Sequence, residues 1–282
     1  MSEALPYRLV VTDMDGTLLD GAGRLPAAFP AAVRALAARG IHWVIASGRQ
    51  LANLQAQFQG VEPAPDIVAE NGALAQIGGE SAPFFRDLTP PGFFVEILRA
   101  AAAIPGATPV LCGVDCAWVA DAYPENLPEV ARYFSRTAAM SPAALCAGAP
   151  GVPDICKVAI YHRSAGEVLW PRLSPLGRED LRVIHSSPCW IDVQAARINK
   201  GRALAAILAH RGLAPAQAVV FGDYLNDTEM MTLGTHAVAM ANAHPQLRAL
   251  CPYTAPANTA NGVLVYLAEL GLLPAGGPGE GV

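Results

Sequence analysis

The sequence predicts an α/β protein in which a doubly wound parallel sheet carries an inserted α+β domain. Three observations predict this class. Strand-like and helix-like segments alternate over residues 8–69, the same alternation returns from residue 200, and the portion between them has a different rhythm. Regular alternation of strands and helices gives a parallel sheet with helices on both faces. The two outer portions are therefore expected to form one domain that the middle portion interrupts.

The first outer portion has the order strand, helix, strand, helix, strand. Its Ala-rich segment 26–39 has helical spacing and ends at Gly40, a common residue at helix ends. A second helix is predicted over 51–58. Three short apolar runs are typical of buried parallel strands: residues 8–12, 41–46 and 66–69.

The middle portion, which begins near residue 78, is predicted to be a separate α+β unit. The run 137–153 is rich in Pro, Ala and Gly and is expected to be a loop. Helices are expected at 93–103, 127–134 and 167–176, and strands at 109–113, 116–120, 155–161, 181–185 and 190–193.

The alternating rhythm of the outer portions resumes at residue 200. Helices are expected at 200–210, 227–233, 245–250 and 261–272, and strands at 218–221 and 237–240. The expected domains are a discontinuous core of residues 1–80 and 190–273, an insert of residues 81–189, and a flexible Gly/Pro-rich tail of residues 274–282.

The composition fits a globular protein that does not bind nucleic acid. The chain is 52% hydrophobic and 15% charged, with a formal net charge of −5, whereas a general nucleic-acid binder needs a basic surface. Residues 1–7 do not show the basic segment followed by an apolar run that is typical of a secretory signal. No apolar run reaches membrane-spanning length. A cytoplasmic protein with no membrane partner is expected. The six cysteines lack CxxC or metal-type spacing and are expected to be reduced.

Polar side chains follow several predicted core strands at the point where each strand ends. Ligands of open α/β sheets bind outside the carboxyl ends of the strands, so these side chains are expected to share one site. Lys200, which begins a helix soon after the strand at 190–193, is placed to join them. The side chains are Asp13 and Asp15, Ser47 and Arg49, Asn71, and Asp223 with Asp227.

This set of groups suits the hydrolysis of a phosphate ester. A carboxylate is an adequate nucleophile toward phosphorus, and a second one can protonate the leaving oxygen if its pKa is raised. Carboxylates such as Asp13 and Asp223 are the ligands that Mg²⁺ prefers. The metal would let the anionic Asp13 approach an anionic phosphate. Ser47, Asn71 and Lys200 would bind the phosphoryl oxygens.

Five motifs lie along the chain in a fixed order. They are DxDGT at 13–17, SGR at 47–49, Asn-Gly at 71–72, Lys-Gly at 200–201 after an acidic strand, and GDxxND at 222–227. On these motifs the chain resembles the haloacid dehalogenase superfamily, and specifically the Cof-type hydrolases of subfamily IIB. The resemblance covers nearly the whole chain. It implies a Rossmann-like core with a type C2B cap, a lid that supplies much of the substrate selectivity.

The resemblance also implies a role for each acidic residue. Asp13 would be the nucleophile and a metal ligand. Asp15 would be the general acid and then the base for water, with its backbone carbonyl on the metal. Asp223 would ligate Mg²⁺ with support from Asp227, and Thr17 would fix the loop.

The remaining motif residues would contact the substrate. Ser47 and Lys200 would hold the phosphoryl group, and Asn226 would contact the phosphate or metal-bound water. Arg49 and Asn71 would line the site. Asp192 is expected to be structural, with either Lys200 or a backbone amide as its partner.

The leading hypothesis is a Mg²⁺-dependent phosphatase for monoesters of small metabolites, with sugar phosphates first among them, acting through an aspartyl-phosphate on Asp13. The first alternative is a phosphohexomutase, which would return the phosphoryl group to the sugar. The second is a non-catalytic sensor of a phosphorylated ligand. The carboxylates of Asp13 and Asp15 count against a sensor, because a pure binder does not need both.

Overall fold

The computed structural model describes residues 7–274, which form two compact units. Residues 7–48, 58–85 and 199–274 belong to the first unit, and residues 49–57 and 86–198 to the second. The predicted flexible tail, 274–282, lies outside the described residues except for Pro274. None of the described helices is long and apolar enough to cross a lipid bilayer.

The first stretch of chain contains five strands and two helices. The strand at 9–12 reads LVVT and is buried throughout, as expected of a central parallel strand. In the first helix, Phe29, Val33 and Leu36 are buried at a spacing that places them on one face. The elements are β1 Leu9–Thr12, α1 Phe29–Ala37, β2 His42–Ala46, α2 Leu51–Gln57, β3 Asp66–Ala69, β4 Leu74–Gln76 and β5 Phe85–Arg86.

The middle stretch contains six strands and four short helices. The expected loop at 137–153 is wrong, because it contains a strand and a helix. The Ser141 hydroxyl accepts a bond from the Ala144 amide and caps that helix. The elements are α3 Val95–Ala102, β6 Thr108–Cys112, β7 Ala117–Ala120, α4 Leu127–Val130, β8 Thr137–Met140, α5 Pro142–Cys146, β9 Lys157–Tyr161, α6 Trp170–Leu173, β10 Leu181–Ser187 and β11 Trp190–Ala195.

The last stretch returns to alternating helices and strands. The Asn199 side chain accepts a bond from the Arg202 amide at 2.9 Å and so caps the helix that begins with Lys200. The elements are α7 Lys200–His210, β12 Ala218–Gly222, α8 Thr228–Met231, β13 His236–Met240, α9 Pro245–Leu250, β14 Tyr253–Ala255 and α10 Gly262–Glu269.

The strands form two sheets, and the predicted fold class is confirmed. The first has the order β14-β13-β12-β1-β2-β3-β4-β5, and its first six strands are parallel. The second has the order β10-β11-β9-β6-β7-β8 and is antiparallel except for the pair β7–β8. In the first sheet β1 lies between β2 and β12, which brings the carboxyl ends of these three strands to one edge.

The limits of the two units differ from the expected domains in three places, and the smallest difference is that residues 81–85 belong to the first unit. The strand β11 was expected to open the second core segment, but it pairs with β9 and β10, and the first unit resumes only at 199. Its Ile191 and Val193 side chains pack in the apolar cluster of the second unit. Residues 49–57 also fall in the second unit, where Gln50 accepts a bond from the Ser135 amide at 3.1 Å.

Candidate active site

The loop after β1 places two aspartates differently. Asp13 is buried, with 7% of its surface exposed, whereas Asp15 is exposed. Between Asp15 and Thr17 the chain turns through Gly16, whose φ is +86°. A Cβ at Gly16 would lie 2.2 Å from Asp223 Oδ2. The glycine is therefore needed both for the turn and for the close approach of the Asp223 carboxylate.

The ammonium group of Lys200 joins two carboxylates of the site. Lys200 is fully buried, and its Nζ lies 2.5 Å from Asp13 Oδ1 and 2.7 Å from Asp227 Oδ1. Burial alone lowers the pKa of Lys200, but the two carboxylates outweigh it and raise the pKa above its usual value. The lysine is therefore a fixed positive charge between the two acids.

Hydrogen bonds orient the carboxylates of Asp223 and Asp227. The Thr17 hydroxyl donates to Asp223 Oδ1 at 3.0 Å and so connects the loop after β1 to the loop after β12. Asp227 Oδ2 accepts bonds from the backbone amides of Asp223 and Tyr224 at 3.0 and 3.2 Å. Both oxygens of Asp227 are thus already in use, so Asp227 is suited to orienting its neighbours more than to binding a ligand directly.

Three of the carboxylates form a group that fits a divalent cation. Oxygens of Asp13, Asp223 and Asp227 all lie within 4.8 Å of one another. Among residues 7–274, Oδ2 of Asp13 and Oδ2 of Asp223 have no hydrogen-bond donor. Burial, together with the neighbouring carboxylates, raises the pKa of Asp223 to about 7 and that of Asp13 well above its usual value. Desolvated acids that repel one another offer hard oxygen ligands to a cation such as Mg²⁺.

The polar residues after β2 and β3 form a second group within the first unit. The backbone amide of Asn71 donates to the backbone carbonyl of Ser47 at 3.1 Å. The Asn226 side chain donates to Asn71 Oδ1 at 3.2 Å. Gly72 has φ +98°, and a Cβ there would lie 2.1 Å from the Asn199 carbonyl. The Asn71 turn therefore packs directly against the start of α7, which carries Lys200.

Two expectations about individual residues have other outcomes. Arg49 falls in the second unit, where it donates to Gln57 Oε1 at 3.2 Å, and its lining role stays a prediction. Asp192 has a structural role, as expected, but its pairing with Lys200 is wrong: Asp192 Oδ2 accepts a bond from the buried Lys157 at 2.9 Å, and Lys200 pairs with Asp13 and Asp227. The reason is that β11 belongs to the six-stranded sheet.

The loop after β1 is also contacted by Asn242, which was not among the predicted site residues. The Asn242 side chain donates to the carbonyl of Gly16 at 2.8 Å. Asn242 follows β13 as closely as the other site residues follow their strands. The rule that found those residues, a polar side chain just after a parallel strand, therefore applies to it as well.

Comparison with known proteins agrees with this geometry. The model of a family described as haloacid dehalogenase-like hydrolases matches residues 10–144 and 150–267. An HMP-PP phosphatase of Cronobacter sakazakii is 29% identical over 253 residues, which cover 87% of this chain and 88% of that protein. The 5-amino-6-(5-phospho-D-ribitylamino)uracil phosphatase YbjI of Escherichia coli is 26% identical over 92% of this chain and 94% of its own length.

Solved structures show the same fold. A haloacid dehalogenase-like hydrolase from Bacillus subtilis superposes with a TM-score of 0.80 at 19% identity and covers 94% of this chain and 100% of its own. The protein SMU.1108c from Streptococcus mutans gives 0.79 at 23% identity, over 94% and 98% of the two chains. The family match spans most of the chain and includes all five motifs. The resemblance is thereby confirmed, and the chain belongs to the haloacid dehalogenase-like hydrolases.

Proposed function

We propose that this hydrolase is a Mg²⁺-dependent phosphatase that cleaves phosphate monoesters of small metabolites through an aspartyl-phosphate on Asp13. The observation that carries the proposal is the buried Asp13 carboxylate, which has Lys200 on Oδ1 and no hydrogen-bond donor among the described residues on Oδ2. A carboxylate held at one oxygen and open at the other has the arrangement that a nucleophile needs.

The first chemical step forms one bond and breaks another. Asp13 Oδ2 attacks the phosphorus, the bond from phosphorus to the leaving oxygen breaks, and Asp15 gives its proton to that oxygen. Lys200 supplies positive charge next to the attacking carboxylate. In the second step, water attacks the phosphorus of the acyl phosphate, Asp15 takes a proton from that water, and the bond between Asp13 Oδ2 and phosphorus breaks. The products are inorganic phosphate and free Asp13.

The residues fit a single Mg²⁺ ion. Asp13, through the carboxylate oxygen that does not attack, and Asp223 would hold it directly, Asp227 would support it, and the carbonyl of Asp15 is proposed as a further ligand. When bound, the cation lowers the repulsion between the nucleophile and the phosphoryl oxygens. The mutual closeness of the three carboxylates and the raised pKa of Asp223 support this assignment.

Small phosphorylated metabolites, and sugar phosphates in particular, are the proposed substrates. The Escherichia coli relative is named for a phosphate on a ribityl group, which is a sugar-alcohol phosphate. We propose that Ser47 and Asn226 bind the phosphoryl group and that Asn71 lines the site, which their connected hydrogen bonds support. Arg49 is proposed to line the substrate as well.

Phosphate release from a panel of metabolites tests this function. The panel covers hexose and pentose phosphates, sugar-alcohol phosphates, nucleoside monophosphates, flavin mononucleotide and pyridoxal phosphate. Release that requires Mg²⁺ and disappears in the Asp13→Asn variant is expected. Interconversion of hexose phosphates without release would indicate a mutase. Tight ligand binding without any turnover would indicate a sensor, and either result would contradict the proposal.

A further inference from the structure

The turn after β13 connects the two loops that carry the acidic residues. Its Asn242 side chain donates to the Gly16 carbonyl at 2.8 Å, and its His244 amide donates to the Asp223 carbonyl, also at 2.8 Å. The turn itself is closed by a bond from the Ala243 amide to the Met240 carbonyl at 2.9 Å. One short segment therefore fixes the loop after β1 with respect to the loop after β12.

A second asparagine supports the first. The backbone amide of Asn258 donates to Asn242 Oδ1 at 3.1 Å, and the side-chain amide of Asn258 donates to the Leu19 carbonyl at 2.8 Å. The Leu19 amide in turn donates to the Met14 carbonyl at 2.9 Å and closes the loop after β1. The asparagine pair thus contacts this loop on both sides of Thr17, at Gly16 and at Leu19.

These bonds bear directly on Asp15. The backbone of the turn sets the direction of the Asp15 Cα–Cβ bond, and the Asp15 side chain is exposed. The next residue, Gly16, has φ +86°, and glycine adopts positive and negative φ values with similar ease. A hydrogen-bond donor to the Gly16 carbonyl favours the conformation with positive φ over the others. Asn242 is the side chain that provides this donor.

We propose that Asn242 is a positioning residue for proton transfer, acting through the Gly16 carbonyl to hold Asp15 where it can protonate the leaving oxygen. Asn258 orients Asn242 and shares this task. The inference rests on the proposed function, because it assumes that Asp15 is the general acid. It adds a residue that none of the five motifs includes.

A misplaced Asp15 would have a kinetic effect that a general loss of structure does not have. A nitrophenolate departs without a proton, whereas the alkoxide of a sugar or sugar alcohol needs one. A misplaced general acid therefore slows the cleavage of alkyl phosphates more than that of p-nitrophenyl phosphate. The parameter kcat/KM isolates the steps up to departure of the leaving group. A general loss of structure would lower it for both substrates alike.

The test compares four variants with the unaltered enzyme on p-nitrophenyl phosphate and on the best alkyl monoester of the panel. Asn242→Asp keeps the acceptor for the Asn258 amide but replaces the donor to Gly16 by a carboxylate oxygen. Asn258→Asp removes the donor to Leu19 only. Asp15→Asn removes the acid itself, and Gln246→Glu, an exposed amide-to-acid change on α9, is the matched control.

For Asn242→Asp we expect kcat/KM to fall about tenfold or more on the alkyl phosphate and less than about threefold on p-nitrophenyl phosphate. Asn258→Asp should lower kcat/KM less, but again more on the alkyl phosphate than on p-nitrophenyl phosphate. Gln246→Glu should leave kcat/KM unchanged on both substrates. Equal losses on both substrates, or none, for Asn242→Asp while Asp15→Asn does discriminate would overturn the role of Asn242 alone. If Asp15→Asn does not discriminate either, the proposed role of Asp15 fails and the inference fails with it.

Discussion

Replacement of Lys200 by Met removes the positive charge between two buried carboxylates. The side chain is fully buried, and both Asp13 and Asp227 lose their partner when it is replaced. Removal of one partner of a buried ion pair costs about 3–5 kcal/mol. Burial already favours the protonated form of Asp13, whose pKa is raised, so the lower end of this range applies. We expect a loss of about 3 kcal/mol, or roughly 6–12 °C in Tm for a unit of this size.

Magnesium should restore part of this loss, because a cation on Asp13 and Asp223 replaces the missing charge. The chain has one other lysine, Lys157, which is also buried but is paired with Asp192 in the second unit. Lys157→Met is therefore a matched control that should lose stability without regaining it in Mg²⁺. The assay is scanning calorimetry of both variants in chelator and in Mg²⁺. A Tm loss below about 2 °C for Lys200→Met in chelator, or the same response to Mg²⁺ in both variants, would mean that Lys200 does not offset the charge of Asp13 and Asp227.

Three further predictions concern the metal site. Gly16→Ala should lower kcat by about 10²-fold or more, since a Cβ there would lie 2.2 Å from Asp223 Oδ2. Gly23 has a similar φ of +73° but open space around it, so Gly23→Ala should keep its activity. Steady-state kinetics of both variants tests this. In chelator, the stability of the unaltered protein should fall as the pH rises from about 4 to about 7 and then level off, because the pKa of Asp223 is about 7 in the fold and about 4 in the unfolded chain. The Asp223→Asn variant should flatten that pH dependence in urea titrations, and an unchanged slope would count against it. Mg²⁺ should raise the Tm of the unaltered protein but not that of Asp223→Asn, and calorimetry in both conditions shows whether it does.

The sequence predicted best those elements whose local pattern agrees with their surroundings. The strand Asp66–Ala69 and the helices Lys200–His210 and Pro245–Leu250 agree with prediction to the residue. The strand Thr137–Met140 was missed, because its Thr-Ala-Ala-Met sequence is largely exposed and has little β-propensity. It exists because it pairs with β7 at the edge of the six-stranded sheet.

The site shows the same division between local pattern and long-range contact. Asp13, Ser47 and Asp223 could be found because each directly follows a parallel strand, and that position alone brings them to one edge. The pairing of Asp192 could not be found, since it depends on which sheet β11 joins. The bond from Asn242 to Gly16 spans 226 residues of chain. It depends on backbone geometry that no local pattern reveals.

Chemical trapping shows whether Asp13 carries the phosphoryl group. A single turnover of the preferred substrate in Mg²⁺ is quenched and treated with borohydride, which reduces an acyl phosphate to an alcohol. Mass spectrometry of the peptide that contains residues 13 and 15 then locates the change. We predict homoserine in place of Asp13 and an unchanged Asp15. Homoserine at position 15, or none at either position while phosphate is released, would mean that Asp13 is not the nucleophile.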